Sequence, residues 1–218
     1  NAMLKTLEEP PAHCLLLLLS SRLGQILPTI RSRCITAHLS PLSAVDTSGV
    51  LATIWPDADK EALDLLAALS KGAPGRAVQL ADANVLDMFE ASCSLLSDER
   101  AKPADLIALA EKWAAGGARG RPLRQAASYL FPELLLLATL HQMGSNAIEQ
   151  NTMAQIGFIE RAARFLATRH SPEQLADLHR EFGKSYQMNE RLYLDFAPIM
   201  TKFFSDLKRD LHSQSANR

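Results

Sequence analysis

Cysteine and histidine are scarce in this 218-residue chain, and their spacing argues against a metal centre. The sequence holds three cysteines and six histidines. The cysteines lie too far apart for a zinc motif or a disulfide framework. No two histidines stand four residues apart beside a carboxylate, as a helical metal site would require. We therefore predict no metal site. The three cysteines, Cys14, Cys34 and Cys93, indicate a reducing compartment, the cytoplasm.

An excess of charge and a long apolar run are also missing. Lys and Arg together number 23 and Asp and Glu 24, which gives a net charge of −1. Such a balance provides no overall attraction to nucleic acid or to an anionic membrane. The longest apolar runs, residues 15–19 and 134–140, are far shorter than the roughly 20 residues that cross a bilayer. We therefore expect a globular protein with no membrane partner.

Motifs that hold a nucleotide or build a catalytic centre are absent from the sequence. It contains no G-x-x-x-x-G-K-[ST] loop and no apolar run followed by Asp-Glu, the patterns that bind phosphates and magnesium. No Ser-His-Asp set or pair of catalytic carboxylates can be argued, because Glu8 and Glu9 precede two prolines and are expected to mark a helix end. The chain is therefore predicted not to be an enzyme on its own and to carry no cofactor.

The first 40 residues have the pattern of a small α/β fragment. Residues 3–9 resemble the last turns of a helix that two prolines stop. Residues 13–21, with five consecutive leucines, predict a strand buried on both faces, with a buried helical segment as the alternative. A break is predicted at Gly24, a short helix from Pro28 and a second strand over residues 34–39. Because the first helix has no beginning, we expect further residues upstream in the gene.

From Leu42 onward the patterning becomes helical. Apolar residues recur at helical spacing, while proline, glycine and acidic residues mark helix starts and ends. At least two thirds of the residues are expected to be helical, with any strand confined to the first 40. The fold class is therefore mainly α. The predicted helical stretches are residues 57–72, 73–82, 84–98, 103–117, 122–142 and 153–170. A last helical stretch is predicted to have a bend or break at Pro198. Its apolar stripe consists of Leu192, Phe196, Ile199, Phe203 and Leu207.

Several motifs together resemble the bacterial clamp-loader family of AAA+ proteins. They are "NAMLKTLEEPP", a leucine-rich stretch, "LPTIRSRC", "KGAPGRAVQLAD" and "MNERLYLDF". The resemblance implies that residues 1–40 are the C-terminal part of an AAA+ α/β core whose upstream half is missing. It further implies a helical lid over residues 41–83 and a helical collar, which assembles the complex, over residues 84–218.

Arg33 is the residue to which the resemblance assigns a catalytic role. In this family the Ser-Arg-Cys arginine is an arginine finger supplied in trans, directed at ATP that a neighbouring subunit binds. Guanidinium suits this role because it is always charged and presents a planar fork of donors. From the residues alone, the alternative is that Arg33 lies at a helix end and complements its carbonyl groups. Arg31 is expected to be a surface or interface residue.

The resemblance also suggests weaker nucleotide-sensing positions. Ser20 and Ser21 stand where ATP-hydrolysing relatives carry a phosphate-sensing threonine, although they could equally cap the end of the predicted strand. In the lid motif, Gly75 occupies the position of the sensing arginine of the motor subunits, and Arg76 follows one residue later. This offset favours a subunit type that does not hydrolyse ATP, with Arg76 in contact with solvent or with the rest of the lid.

A cluster of arginines in "GGARGRPLRQ" is the remaining candidate site. It could contact phosphates, although it has no interleaved aromatic residues and is more typical of a solvated loop between helices. The arginines are Arg119, Arg121 and Arg124.

The resemblance implies a subunit of the DNA polymerase III clamp loader, which supports ATP-dependent loading of the sliding clamp onto primed DNA. The expected partners are the other loader subunits, the clamp and the primed DNA. One alternative is a truncated motor subunit of the same complex. Another is a helical scaffold or DNA-binding regulator with no ATPase partner.

Overall fold

A computed structural model describes residues 2–20, 22–82, 85–115, 120–148 and 151–209 of the chain. Of these residues 73% are helical and none belongs to a strand, which confirms the predicted mainly α class. The chain divides into two compact units, residues 1–40 and 41–218, and each is described by itself. No helix in the described part of the chain is both long and apolar enough to cross a membrane.

The first unit contains two α-helices and one turn of 3-10 helix. Helix α1 covers Ala2–Glu8 and ends just before the two prolines, as predicted. The 3-10 turn covers Leu23–Gln25, and the predicted break at Gly24 falls within this turn. Helix α2 covers Pro28–Arg31 with proline in its first turn, which confirms the predicted start.

The two strands predicted in the first unit are wrong among the described residues. Residues 14–20 and 35–40 form no ladder, and the leucine run is exposed, up to 93% at Leu19. A strand buried on both faces needs hydrogen-bonded neighbours and covering layers. Residues 1–40 supply neither, so the leucines that predict a buried strand have nothing here to be buried against.

The described residues of the second unit form helices joined by short connections, and the predicted helical stretches are confirmed within a few residues at their ends. The α-helices are α3 (Ala44–Ile54), α4 (Lys60–Ser70), α5 (Pro74–Asp82), α6 (Val85–Ser97), α7 (Pro103–Trp113), α8 (Gly120–Met143), α9 (Gly157–Arg169), α10 (Pro172–Leu192) and α11 (Ala197–Lys208), with 3-10 turns at Asn146–Ile148 and Thr152–Gln155.

Polar residues cap several of these helices at the positions that the sequence favours. Ser43 Oγ accepts a hydrogen bond from the Asp46 amide at 3.0 Å at the start of α3. Ser171 and Gln174 form a reciprocal capping box at the start of α10. Each cap satisfies an amide that has no partner within its helix, which stabilises the helix start by about 1 kcal/mol.

Helix α8 packs against α6, α7, α9 and α10 in the centre of the unit. It continues through Pro132. Phe131, the residue before this proline, is fully buried. Its ring makes edge-to-face contacts with five other aromatic rings at centroid distances between 5.2 and 6.2 Å, namely Phe89, Trp113, Phe182, Phe203 and Phe204.

The predicted apolar stripe at the C-terminal end is partly wrong. Leu192 lies at the end of α10 and is 56% exposed. Tyr193 then turns the chain with a φ of +53°, so Leu192 cannot share a face with the residues of α11. Phe196, Phe203 and Leu207 are buried as predicted. The break falls at Tyr193, and Pro198 lies in the first turn of the new helix.

A buried carboxylate connects the predicted lid to the predicted collar. Glu133 of α8 forms an ion pair with Lys71, which follows α4. Its other oxygen accepts a hydrogen bond from Asn151 Nδ2 at 2.9 Å. Both predicted parts belong to one compact unit, and their boundary at residues 83–84 lies outside the described residues. The division into lid and collar therefore stays a prediction.

Gly72 closes the turn after α4 and tolerates no side chain. Its φ is +75°, and an added Cβ would lie 2.3 Å from the carbonyl oxygen of Leu42 and 2.7 Å from its nitrogen. Because these are backbone atoms, we expect Gly72→Ala to lower the free energy of unfolding by at least about 1–3 kcal/mol. Urea denaturation followed by circular dichroism measures the change.

Gly49 is the matched control for Gly72. It lies inside α3 with no atom within 4 Å of an added Cβ. Gly49→Ala should stabilise the protein by about 0.5–1 kcal/mol through helix propensity. If the two variants have the same unfolding midpoint, the steric role of Gly72 is wrong.

Candidate functional site

The Ser-Arg-Cys motif forms the corner that follows α2. Ser32 ends the helix, and its amide donates to the carbonyl oxygen of Pro28 at 2.9 Å. The next two amides continue the turn. The Arg33 amide donates to the carbonyl oxygen of Ile30 at 3.1 Å, and the Cys34 amide donates to the carbonyl oxygen of Arg31 at 3.4 Å. Pro28 starts this helix, and only four residues later the chain leaves it. The short helix thus presents consecutive polar side chains at an exposed corner.

Arg33 folds back across the C-terminal end of α2. Its Nη1 donates to the carbonyl oxygen of Thr29 at 2.9 Å, and its Nη2 forms an ion pair with Glu8 Oε1 at 2.6 Å. The side chains of Arg33 and Glu8 are 37% and 49% exposed. The guanidinium therefore neutralises a nearby carboxylate and a helix-end carbonyl, while more than a third of the side chain stays open to solvent.

Arg31 and Ser20 lie on the same unit but make no contact with this ion pair in the described structure. Both line a cavity of about 140 Å³ together with Cys34, Thr36, His38 and apolar side chains. Ser20 Oγ accepts a hydrogen bond from the Arg22 amide at 3.1 Å, which is a local turn contact. Ser21 lies outside the described residues. The structure thus brings Ser20 and Arg31 to one cavity and leaves Arg33 at the corner beside it.

Arg76 belongs to α5 in the second unit. Its guanidinium lies 4.5 Å from the centre of the Tyr129 ring on α8, and its Nη1 donates to the carbonyl oxygen of Ser70 at 3.3 Å. Burial raises the pKa of Tyr129, and the charge of Arg76 opposes this effect. Gly75 precedes it in the first turn of α5. In this structure Arg76 is a packing residue between α5 and α8.

The arginine cluster lies at the start of α8. Arg121 and Arg124 line one cavity, whereas Arg119 lies outside the described residues. Among the described residues there is no group of three or more His, Cys, Asp or Glu placed to hold a metal ion. The three cysteines are unbonded, and burial raises the pKa of Cys93.

Glu8 is the residue at this site whose contact the sequence did not indicate. The acidic-Pro-Pro turn predicts a helix end, and Glu8 is indeed the last residue of α1. Its ion pair with Arg33 joins residues 25 positions apart. The only available signal is that the acidic-Pro-Pro and Ser-Arg-Cys motifs occur together, and co-occurrence does not predict a contact.

Comparison with known proteins shows what these two motifs belong to. The sequence model of a family described as "DNA polymerase III, delta subunit" matches residues 1–43. DNA polymerase III subunit delta' of Pseudomonas aeruginosa is 44% identical over 80 residues, which cover 37% of this chain and 24% of that protein. Subunit delta' of Escherichia coli is 38% identical over 102 residues, which cover 44% and 29%. Part of the chain is thus similar to the delta-prime subunit of the clamp loader.

The delta-prime similarity is partial, and it extends to a related subunit. DNA polymerase III subunit gamma of Buchnera aphidicola is 38% identical over 84 residues, which cover 37% of the chain and 23% of that protein. The chain spans about a quarter of the length of the curated relatives it matches. No solved structure matches the chain. The predicted resemblance to clamp-loader subunits is confirmed over this part of the chain, and residues 1–43, which the family model matches, include both Glu8 and Arg33.

Proposed function

We propose that the chain is part of a clamp-loader subunit that supports ATP-dependent loading of a sliding clamp onto primed DNA. The observation that carries the proposal is the position of Arg33. This residue lies in the Ser-Arg-Cys motif, within the stretch of residues 1–43 that matches the family. Its side chain is 37% exposed at this corner, and in the proposal a neighbouring subunit would contact it there.

In this proposal Arg33 acts as an arginine finger in trans. Phosphoryl transfer spreads negative charge over the oxygens of the γ-phosphate, and a guanidinium placed there stabilises the transition state. Arginine is suited to this contact because it stays charged at any physiological pH and donates through a planar fork. The ATP would be bound by a neighbouring subunit, since the 218 residues contain no phosphate loop.

The contacts of Arg33 within this chain are weak enough to be exchanged for a phosphate. An exposed ion pair such as Arg33–Glu8 contributes about 0–1 kcal/mol. An arginine finger contributes a factor of about 10³–10⁵ in rate, which corresponds to roughly 4–7 kcal/mol at 1.36 kcal/mol per factor of ten. Because the contact in the transition state is the stronger of the two, the guanidinium should exchange Glu8 for the γ-phosphate oxygens as negative charge develops on them during hydrolysis.

The partners in this proposal are the other loader subunits, which contact the collar and the first unit, together with the clamp and primed DNA. On its own the chain would have no enzymatic activity. Ser20 remains a candidate contact to nucleotide in the assembled complex. Arg76 is a weaker candidate, because the ring of Tyr129 and the carbonyl of Ser70 already occupy its guanidinium.

A truncated motor subunit is the second candidate, and the similarity to subunit gamma favours it. Two features weigh against it. Gly75 occupies the position at which the motor subunits carry the sensing arginine. The guanidinium of the neighbouring Arg76 packs on the ring of Tyr129. The third candidate, a helical scaffold or DNA-binding regulator without an ATPase partner, predicts that the chain does not associate with motor subunits.

Nucleotide binding and assembly separate these candidates. The purified chain should show no ATP binding by calorimetry, because no backbone loop cradles phosphates. Mixed with the motor subunits and the remaining loader components, the complete gene product should elute with them as one complex in size-exclusion chromatography. Micromolar ATP binding by the isolated chain would contradict the proposal. Failure of the complete product to join the complex would favour the scaffold or regulator.

A further inference from the structure

A cavity in the second unit brings together arginines and an aromatic residue that are far apart in the sequence. Its volume is about 400 Å³, within the ~300–1,000 Å³ range of ligand pockets. The start of α8 supplies two arginines, and the end of α10 and the turn after it supply the other side. The lining residues are Arg121, Arg124, Asn189, Glu190, Tyr193 and Leu194.

The two guanidinium groups in this cavity are available to an anion. Neither Arg121 nor Arg124 forms an ion pair with a carboxylate of the described residues. Glu190 is the one acidic residue that lines the cavity with them, so the lining carries a net charge of +1. Both arginines lie close enough to Tyr186 to oppose the rise that burial causes in its pKa. The cavity therefore has a local positive charge that the net charge of the chain conceals.

Tyr193 presents its ring to solvent in an unusual backbone conformation. The side chain is 94% exposed, and its φ of +53° and ψ of 39° are left-handed. Tyr193 caps the C-terminal end of α10, where a left-handed residue is common, although a non-glycine side chain there costs on the order of 1 kcal/mol. Asn189, which is 4% exposed, holds the turn by donating from Nδ2 to the carbonyl oxygen of Leu194. This turn places the exposed ring at the edge of the arginine-lined cavity.

We propose that Arg121, Arg124 and Tyr193 form a binding site for single-stranded nucleic acid. Two guanidinium groups contact successive phosphates, and an unpaired base stacks on the Tyr193 ring. A positive groove beside an exposed aromatic ring is the combination that holds single strands without sequence preference. A duplex keeps its bases stacked on each other and would use only the arginines. The site needs neither ATP nor a partner subunit, so its failure would leave the role of Arg33 untouched.

Fluorescence anisotropy with a labelled 20-nucleotide oligothymidine tests the site on the isolated chain. Stacking of one base gives about 1–3 kcal/mol, so Tyr193→Ala should weaken binding roughly 5- to 150-fold at 1.36 kcal/mol per factor of ten. Tyr193→Phe keeps the ring and should bind like the unchanged chain. Arg121→Ala with Arg124→Ala should reduce the slope of log affinity against log salt by about 1.4, or 0.7 for each lost phosphate contact.

Two further variants sharpen the result. Glu190→Gln removes the carboxylate from the cavity and should tighten binding, a change that a purely structural role for the site would not produce. Arg100→Ala, an exposed arginine that does not line the cavity, should leave both the affinity and the salt slope unchanged.

Three outcomes would overturn the proposal. The first is no binding of oligothymidine at low salt. The second is equal affinity of Tyr193→Ala and Tyr193→Phe in chains that show the same thermal melting. The third is equally tight binding of a 20-base-pair duplex with the same sensitivity to Tyr193→Ala. If poly-glutamate competes fully and the tyrosine variants do not differ, the cavity is an acidic-peptide site instead.

Discussion

Phe131→Ala should lower the free energy of unfolding by about 3–5 kcal/mol. The ring is fully buried at the centre of α8 and contacts five other aromatic rings. Removing it deletes the transfer energy of the ring and leaves a cavity that rigid neighbours cannot close. Domains of this size have a total stability of about 5–15 kcal/mol, so the variant should lose roughly a fifth of it or more.

Urea denaturation of Phe131→Ala measures this loss in the free energy of unfolding, and Leu136→Ala is the control. Leu136 lies on the same helix with its side chain 45% exposed, and its truncation should cost less than about 1 kcal/mol. A loss below about 1 kcal/mol for Phe131→Ala would show that the aromatic cluster does not organise the core.

Arg33→Ala should lower the clamp- and DNA-stimulated ATPase rate of the assembled loader without dissolving the complex. A finger acts on the transition state of the neighbouring site, so only hydrolysis at that interface should be lost. Hydrolysis at the other interfaces continues, and the total rate should therefore fall only in part. Clamp loading should fall further than the ATPase rate if loading requires coordinated hydrolysis at the several ATP sites.

Three control variants separate a finger from a structural arginine. Arg31→Ala should change little, since Arg31 lines a cavity to which Arg33 does not contribute. Arg33→Lys should not restore the rate, because a point charge on a flexible stem lacks the fork geometry. Glu8→Gln removes the carboxylate that pairs with Arg33. If Arg33 acts only through this ion pair, Glu8→Gln should reproduce the defect of Arg33→Ala.

The helices of the second unit could be predicted because their signals are local. Periodic leucines, an acidic first turn and a terminal Lys-Gly identify α4, and its cap is the expected acidic residue, Asp59. The strand over residues 13–21 could not be judged in the same way. An apolar run predicts burial, but whether it becomes a strand depends on partners that lie outside the run.

The candidate sites were only partly predictable, because their contacts are long-range. Arg33 is identified by its motif, but its pairing with Glu8 depends on how α1 and α2 meet. Arg121 and Arg124 are evident in the sequence as a basic cluster without aromatic neighbours. Tyr193, about 70 positions later, supplies the missing ring only because α10 returns its C-terminal end to the start of α8.

ATP hydrolysis by a loader with a single competent nucleotide site gives the most direct test of Arg33. All motor sites are inactivated except the one that faces this subunit, and turnover is measured with clamp and primed DNA present. Arg33→Ala should reduce this turnover by about 10³–10⁵-fold, while Arg31→Ala and Glu8→Gln leave it close to that of the unchanged protein. Unchanged turnover in an intact complex that carries Arg33→Ala would contradict the assignment and leave Arg33 as a residue that complements the end of α2.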